Sequence, residues 1–284
     1  MKTISTVLFF LFFLFSACSN VRGADEEQNK EEVPPKSVFE GKNLATFGNS
    51  ITAAENSWAY QLSAALKFGN LYNGAVGGAI WSKRERTTGS GKKISTQNYN
   101  DADFAGISNS NAANPDDLAY QKRINNCAIV HIQKYLDQKA VLTPDYIILS
   151  YGTNDLSSAA VLGDAEGALQ EGNLDNLDLN TIAGAVKWCI KALKTKFPNA
   201  KLYLSLPLQA ESENRNKDNL KKIDTIKKIC DGMSVPYFDC YAESGITQEN
   251  SKQYLRDGLH PNEDGKKIHG DYIIKKLKEA NDEH

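Results

Sequence analysis

From Val38 onward, short apolar runs that stop at glycine or proline alternate with longer stretches of helical periodicity. Asn43–Phe47 is a short run ending at Gly48 and predicts a buried strand. Ser57 to Leu66 follows with Trp58, Leu62, Ala65 and Leu66 on one helical face and Ser57 as N-cap. Leu71–Asn73 predicts a second strand, broken at Gly77-Gly78. Helical periodicity returns over Leu118–Leu136, and Tyr146–Ser150 is a buried strand launched after Pro144-Asp145. A helix over Thr181–Lys196, a strand over Lys201–Leu206, a helix over Asp218–Cys230 and a short strand over Pro236–Asp239 come next. A helix over Pro261–Lys278 closes the series, with proline in its first turn.

Five strands alternating with helices of this length predict an α/β fold, a three-layer α/β/α sandwich around a central, mostly parallel five-stranded sheet. Ligands of such sheets lie beyond the carboxyl ends of the strands. The residues there are Ser50, Gly77-Gly78, Gly152-Thr153-Asn154-Asp155 and the stretch around Gln209. Two connections, Ser82–Asp117 and Leu156–Asn180, are long and polar and read as loops at that edge.

The N-terminus breaks this rhythm. Lys2, an apolar run from Val7 to Phe15, and Ser16-Ala17-Cys18 have the layout of a secretory signal peptide, with a core too short to span a bilayer comfortably. Small residues before a cysteine resemble a bacterial lipobox, although Phe15 is not its favoured residue. Residues 1–17 are then a signal peptide, Cys18 carries the lipid, and 18–37 form a flexible tether ahead of the domain at 38–284. The expected location is outside the cytoplasm, on a membrane facing periplasm or cell surface, with contact through the lipid anchor alone. The alternative is a soluble secreted protein that loses Cys18 on cleavage. Asn20–Lys36 is polar and acidic, without the apolar content to pack.

Composition adds exclusions. The net charge of -2 and the absence of a basic stripe argue against nucleic acid. Cys127, Cys189, Cys230 and Cys240 show no Cys-x-x-Cys spacing, so neither a zinc site nor a redox motif is expected, and buried thiols are the ordinary reading.

Three segments carry chemistry. In Gly48-Asn49-Ser50-Ile51-Thr52, a serine directly after a buried strand sits at a turn into a helix, with its hydroxyl toward the crevice and its N–H able to donate. Taken alone it reads more readily as an N-cap or turn serine. The pattern differs from the Gly-x-Ser-x-Gly elbow of α/β-hydrolases. In Asp257-Gly258-Leu259-His260-Pro261-Asn262, a histidine three residues after an aspartate can turn its ring back, so that Asp257 accepts from Nδ1–H and Nε2 acts as base. His131 and His269 fall in helical patterns. Asn154 and a glycine after the second strand can supply donors to an oxyanion.

Together these residues resemble the SGNH, or GDSL-like, hydrolase superfamily over nearly the whole domain. The resemblance implies an SGNH/flavodoxin-like fold and a serine esterase in which Ser50 is nucleophile, His260 base and Asp257 its orienting carboxylate. It also implies an oxyanion hole of Ser50 N–H, Gly78 N–H and the Asn154 amide, and no metal or organic cofactor. Asn49 stands where the family name expects aspartate. Gly77 replaces the usual serine before the oxyanion glycine, which leaves Gly77 and Gly78 both open for that role. The expected substrate is a short-acyl ester, an acetyl group on carbohydrate, because Gly78–Tyr120 lacks a long apolar run and Trp81 can stack on a sugar. For Trp81 a place in the core is the competing reading. A lipase or lysophospholipase, and a non-catalytic glycan-binding lipoprotein, are the alternatives.

Overall fold

The computed structural model describes residues 37–83, 126–139 and 142–282. The leader, Cys18 and nearly all of the tether lie outside them, as do residues 84–117 of the first polar connection and 118–125 of the helix expected at 118–136.

In chain order the elements are β1 (Asn43–Gly48), α1 (Ser50–Ala53), α2 (Trp58–Ala65), β2 (Asn70–Asn73), α3 (Ala128–Leu136), β3 (Tyr146–Ser150), α4 (Ala159–Leu162) and α5 (Ala165–Gln170). They continue with α6 (Ile182–Lys196), β4 (Lys201–Ser205), α7 (Glu213–Gly232), β5 (Tyr237–Phe238), α8 (Cys240–Glu243), α9 (Ser251–Tyr254) and α10 (Glu263–Asp282). The strands form one sheet in the order β2-β1-β3-β4-β5, every pairing parallel. The chain leaves β1 for β2 on one side and later returns to β3 on the other. Their carboxyl ends therefore flank a switch point, where open α/β sheets hold ligands.

Period-two alternation sends strand side chains to two cores. Ala45, Phe47, Ile147, Leu149, Leu202 and Leu204 pack with Ile132 of α3, Ile190 of α6 and Ile226 of α7. Leu44, Tyr146, Ile148 and Tyr203 face the opposite way and pack with Trp58 and Leu62 of α2 and Ile273 and Leu277 of α10. Burying each of the larger aliphatic and aromatic side chains contributes about 1.5–3 kcal/mol relative to exposure, and together they outweigh the few caps, so burial of both sheet faces holds the three layers together.

Several local expectations shift. Ser57 precedes α2, but its hydroxyl donates to Thr52 O at 2.7 Å and makes no cap bond to the helix. α7 begins at Glu213, five residues ahead of the apolar period, because the Ser212 side chain accepts from Arg215 N. Pro261 lies before α10, whose first turn is closed by Asn262 Oδ1 accepting from Gly265 N at 2.9 Å. The connection read as a loop over 156–180 contains α4, α5 and a 3₁₀ turn at Leu174–Asn176. Lys187 of α6 steadies it by donating its ammonium protons to the carbonyls of Ala168, Leu169 and Glu171, where α5 ends.

Two histidines are buried in the helical layers. Desolvation lowers both His131 and His269 to about 3. Each stays neutral in the fold and takes up a proton on unfolding once the pH is below the unfolded value near 6.5. Their contribution is therefore complete above that value and declines as pH falls toward 3. Urea midpoints should drop steadily from pH 7 to pH 4, and His269→Asn should make that decline shallower by about one proton. A pH dependence equal to wild type in that variant would contradict the assignment.

Candidate active site

Gly48 ends β1 opposite Ser150 of β3. A Cβ on Gly48 would lie 2.6 Å from the Ser150 carbonyl oxygen, so only glycine permits the two strands to end this close. Asn49 then leaves the strand in an extended conformation and caps α1, its side chain accepting from Ile51 N at 3.0 Å. Asn49, where the family name has aspartate, thus serves as a helix cap, and Ser50 becomes the first residue of α1. The segment is held from behind: Asn73 Nδ2 donates to Thr52 O at 3.1 Å, and Trp58 Nε1 donates to Thr52 Oγ1 at 3.2 Å.

His260 arrives from a small closed loop. Arg256 N donates to His260 O at 2.9 Å and Asn262 N to Tyr254 O at 2.8 Å, which folds residues 254–262 back on themselves. Gly258, at φ +75°, makes the turn, and its carbonyl accepts from Glu211 N. Inside the loop Asp257 Oδ1 accepts from His260 N at 2.8 Å and from Leu259 N at 3.2 Å. The ring turns back as the spacing predicts, with Nδ1 2.8 Å from Asp257 Oδ2, and Nε2 lies 2.9 Å from Ser50 Oγ. Because a carboxylate only accepts, Nδ1 carries the proton and Nε2 is left to accept from the serine hydroxyl. Burial raises the Asp257 carboxyl, but the His260 N–H, the His260 ring and the Leu259 N–H outweigh it and hold it at about 2. The carboxylate is charged throughout the neutral range.

A turn after β2 brings Gly77 and Gly78 to the same edge. Gly78 has φ +74° and Gly77 does not, so the need for glycine falls on Gly78. Asn154, beyond β3, donates from Nδ2 to Ala79 O at 3.1 Å, which ties it to this turn. Asp155, the last residue of the Gly152–Asp155 motif, accepts from Trp81 N at 3.0 and 3.1 Å and from Ser82 N. It anchors the chain just past the turn. Nothing local in the sequence announces that link; only the 74-residue gap closed by the sheet creates it.

Trp81 corrects an expectation. It is 0% exposed, with its ring centroid 4.9 Å from that of Tyr151, and belongs to the core. It offers no face to a sugar.

One recess adjoins the His260 loop and shares Ser212 and Arg215 with a second. The first, of about 540 Å³, is lined by Glu211, Ser212, Arg215, Asp257, Leu259 and His260. The other, of about 570 Å³, runs from Thr153 to Ser158 and includes Arg215, Asp218 and Lys222. Arg215 belongs to both and is fixed by donating to Thr153 O at 3.1 Å. Lys222, buried, donates to Asp155 O, and burial lowers its ammonium to about 8. The lining residues are polar or charged apart from Leu156 in one recess and Gly258 and Leu259 in the other.

Residues 44–273 match the model of the GDSL-like Lipase/Acylhydrolase family. No curated protein matches the sequence. Among solved structures, a protein from Lactobacillus plantarum is 18% identical over 85% of this chain and 98% of its own, with a TM-score of 0.58. A candidate GDSL-like lipase from Bacteroides ovatus is 13% identical over 84% and 98%, with a TM-score of 0.51. Another from Bacteroides uniformis is 16% identical over 86% and 96%, at 0.50. At these identities the likeness is one of fold.

Proposed function

Since the chain belongs to the GDSL-like lipase/acylhydrolase family and is an ester-hydrolysing serine hydrolase, we propose that Ser50, His260 and Asp257 carry the reaction and that the ester is a short acyl group, acetate, on carbohydrate. The observation that carries the assignment of roles is the relay Ser50 Oγ to His260 Nε2 at 2.9 Å and His260 Nδ1 to Asp257 Oδ2 at 2.8 Å. His260 takes the Ser50 proton as Oγ attacks the ester carbonyl. The tetrahedral oxyanion is received by Ser50 N–H, Gly78 N–H and the Asn154 amide, each such donor lowering the barrier by about 3–4 kcal/mol in comparable sites. His260 then gives its proton to the leaving alcohol. Water, deprotonated in the same way, releases the acid from the acyl-serine.

The polar and charged residues that line both recesses support a small acyl group and a hydrophilic alcohol. Leu156 and Leu259 are the large apolar side chains among their described linings, too few to sheath a fatty chain. Export and acylation at Cys18 would place the domain at a membrane facing polymeric substrates; mass spectrometry of membrane-extracted protein tests the lipid. For the substrate, hydrolysis of 4-nitrophenyl acetate is set against the octanoate. The acetate kcat/KM should be higher by about tenfold or more, since extra methylenes find no apolar surface. Preference for octanoate would overturn the short-acyl reading and move the substrate to lipids. Absence of both activities, together with absence of fluorophosphonate labelling, would overturn the assignment of roles.

A further inference from the structure

The turn that presents Gly78 is gripped by a residue the reaction scheme does not use. Asn126 precedes α3, is 5% exposed, and donates from Nδ2 to Gly77 O at 2.7 Å. Its own carbonyl accepts from Ile80 N at 3.2 Å, and Ile80 O accepts from Ala128 N at 2.8 Å, so the α3 entry and the turn are stitched together on both sides of the side chain.

Ala79 N donates to Val76 O at 3.2 Å, which closes a four-residue turn with Gly77 and Gly78 at its centre. Positive φ at Gly78 makes it the type II form. Type I and type II turns differ chiefly by a half-rotation of the central peptide plane, here the one joining Gly77 to Gly78. In a trans peptide the carbonyl of one residue and the N–H of the next point opposite ways. Holding Gly77 O therefore sets the direction of Gly78 N–H. With glycine at both central positions the backbone itself imposes little preference between the two forms.

We propose that Asn126 is a positioning residue: its amide holds the Gly77–Gly78 peptide in the orientation that directs Gly78 N–H to the oxyanion. This rests on the serine-hydrolase roles assigned above. The same hydrogen bond polarises the peptide and strengthens the N–H as a donor. Asn126 Oδ1 is buried without a hydrogen-bond partner, a cost that a site needing only to fill space would avoid.

The test compares wild type with Asn126→Ala and Asn126→Asp. Alanine releases the plane. Aspartate keeps the shape but offers only acceptors, so it repels Gly77 O and draws Gly78 N–H round to itself, away from the substrate. With 4-nitrophenyl acetate, kcat should fall about tenfold for alanine and about a hundredfold for aspartate, with KM within about twofold. Labelling of Ser50 by a fluorophosphonate should slow in the same order, because the phosphonyl oxygen occupies the oxyanion position. In ¹⁵N NMR spectra the Gly78 amide should shift and exchange faster in the alanine variant, a readout independent of turnover. An aspartate variant as active as the alanine one, or an unmoved Gly78 amide, overturns the proposal. Failure of the underlying roles is distinguishable, since it would leave wild type itself unlabelled at Ser50.

Discussion

Ser50→Ala is expected to lower kcat on an activated acetate ester by about 10,000-fold or more while leaving the fold intact. The two halves of that expectation have separate causes. In the proposed roles the Ser50 hydroxyl forms the acyl bond, and it pairs with His260 Nε2, a member of the same relay. Removing it deletes the nucleophile and strands no other buried group. The α1 turn does not depend on it, because Asn49 supplies the cap and Asn73 and Trp58 hold Thr52. Thermal midpoints should therefore agree within about 2 °C, since a surface hydroxyl outside such features changes stability by about 0.5 kcal/mol or less. Some rate above water should survive, because the oxyanion donors and His260 remain. Kinetics on wild type and variant, paired with melting curves, check both halves. Turnover comparable to wild type would place the nucleophile elsewhere.

Much of the sheet was legible because its strands are buried on both faces and bounded by turn residues. Tyr146–Ser150 follows Pro144-Asp145, and Lys201–Ser205 comes just before Pro207. α6 also matched its apolar period, over Ile182–Lys196. The misses share a different origin. The first turn and more of α7 is polar, with Lys217 paired to Glu213 at the surface, so apolar periodicity begins too late to mark its start. α4 and α5 are short, and α5 is closed by Lys187 from a neighbouring helix, a contact that no window over 156–180 contains.

The site divides the same way. Asp257 and His260 are three residues apart, so the sequence spacing alone predicted a bond that the loop geometry supplies at 2.8 Å. The choice between Gly77 and Gly78 needed a dihedral angle, and the burial of Trp81 needed its packing against Tyr151, 70 residues on. Asn126 and Asp155 act across 49 and 74 residues, on the turn and just past it. Sequence chemistry found the groups to which the reaction is assigned and missed the groups that hold them. Ser50, Gly78 and Asn154 follow strand ends, where position alone is informative, and Asp257 and His260 are marked by their own spacing. Their supports need only to be near in space.

Asp257→Asn should lower kcat by about 1,000-fold with little change in KM or in melting temperature. The loop survives because an asparagine oxygen can still accept from the Leu259 and His260 N–H groups that Asp257 Oδ1 serves now. What changes is the group facing His260 Nδ1. There the carboxylate oxygen Oδ2 becomes an amide that donates, so the favoured ring places its proton on Nε2 and its lone pair on Nδ1. Nε2 then donates toward Ser50 where it must accept, and the serine has no base. A fully buried aspartate in this role loses about 10,000-fold when treated the same way. The Asp257 side chain is 49% exposed, so water shares its contacts and the loss should be smaller. The pH dependence separates orientation from simple charge. Asp257 is held at about 2, so its own ionisation contributes nothing to changes in activity above pH 4, and the deficit in the variant should be present in full at neutrality. A variant with full activity would reduce Asp257 to a shaper of the loop. A variant that loses activity and melts well below wild type would say the same, because the tautomer argument requires the loop to stay folded.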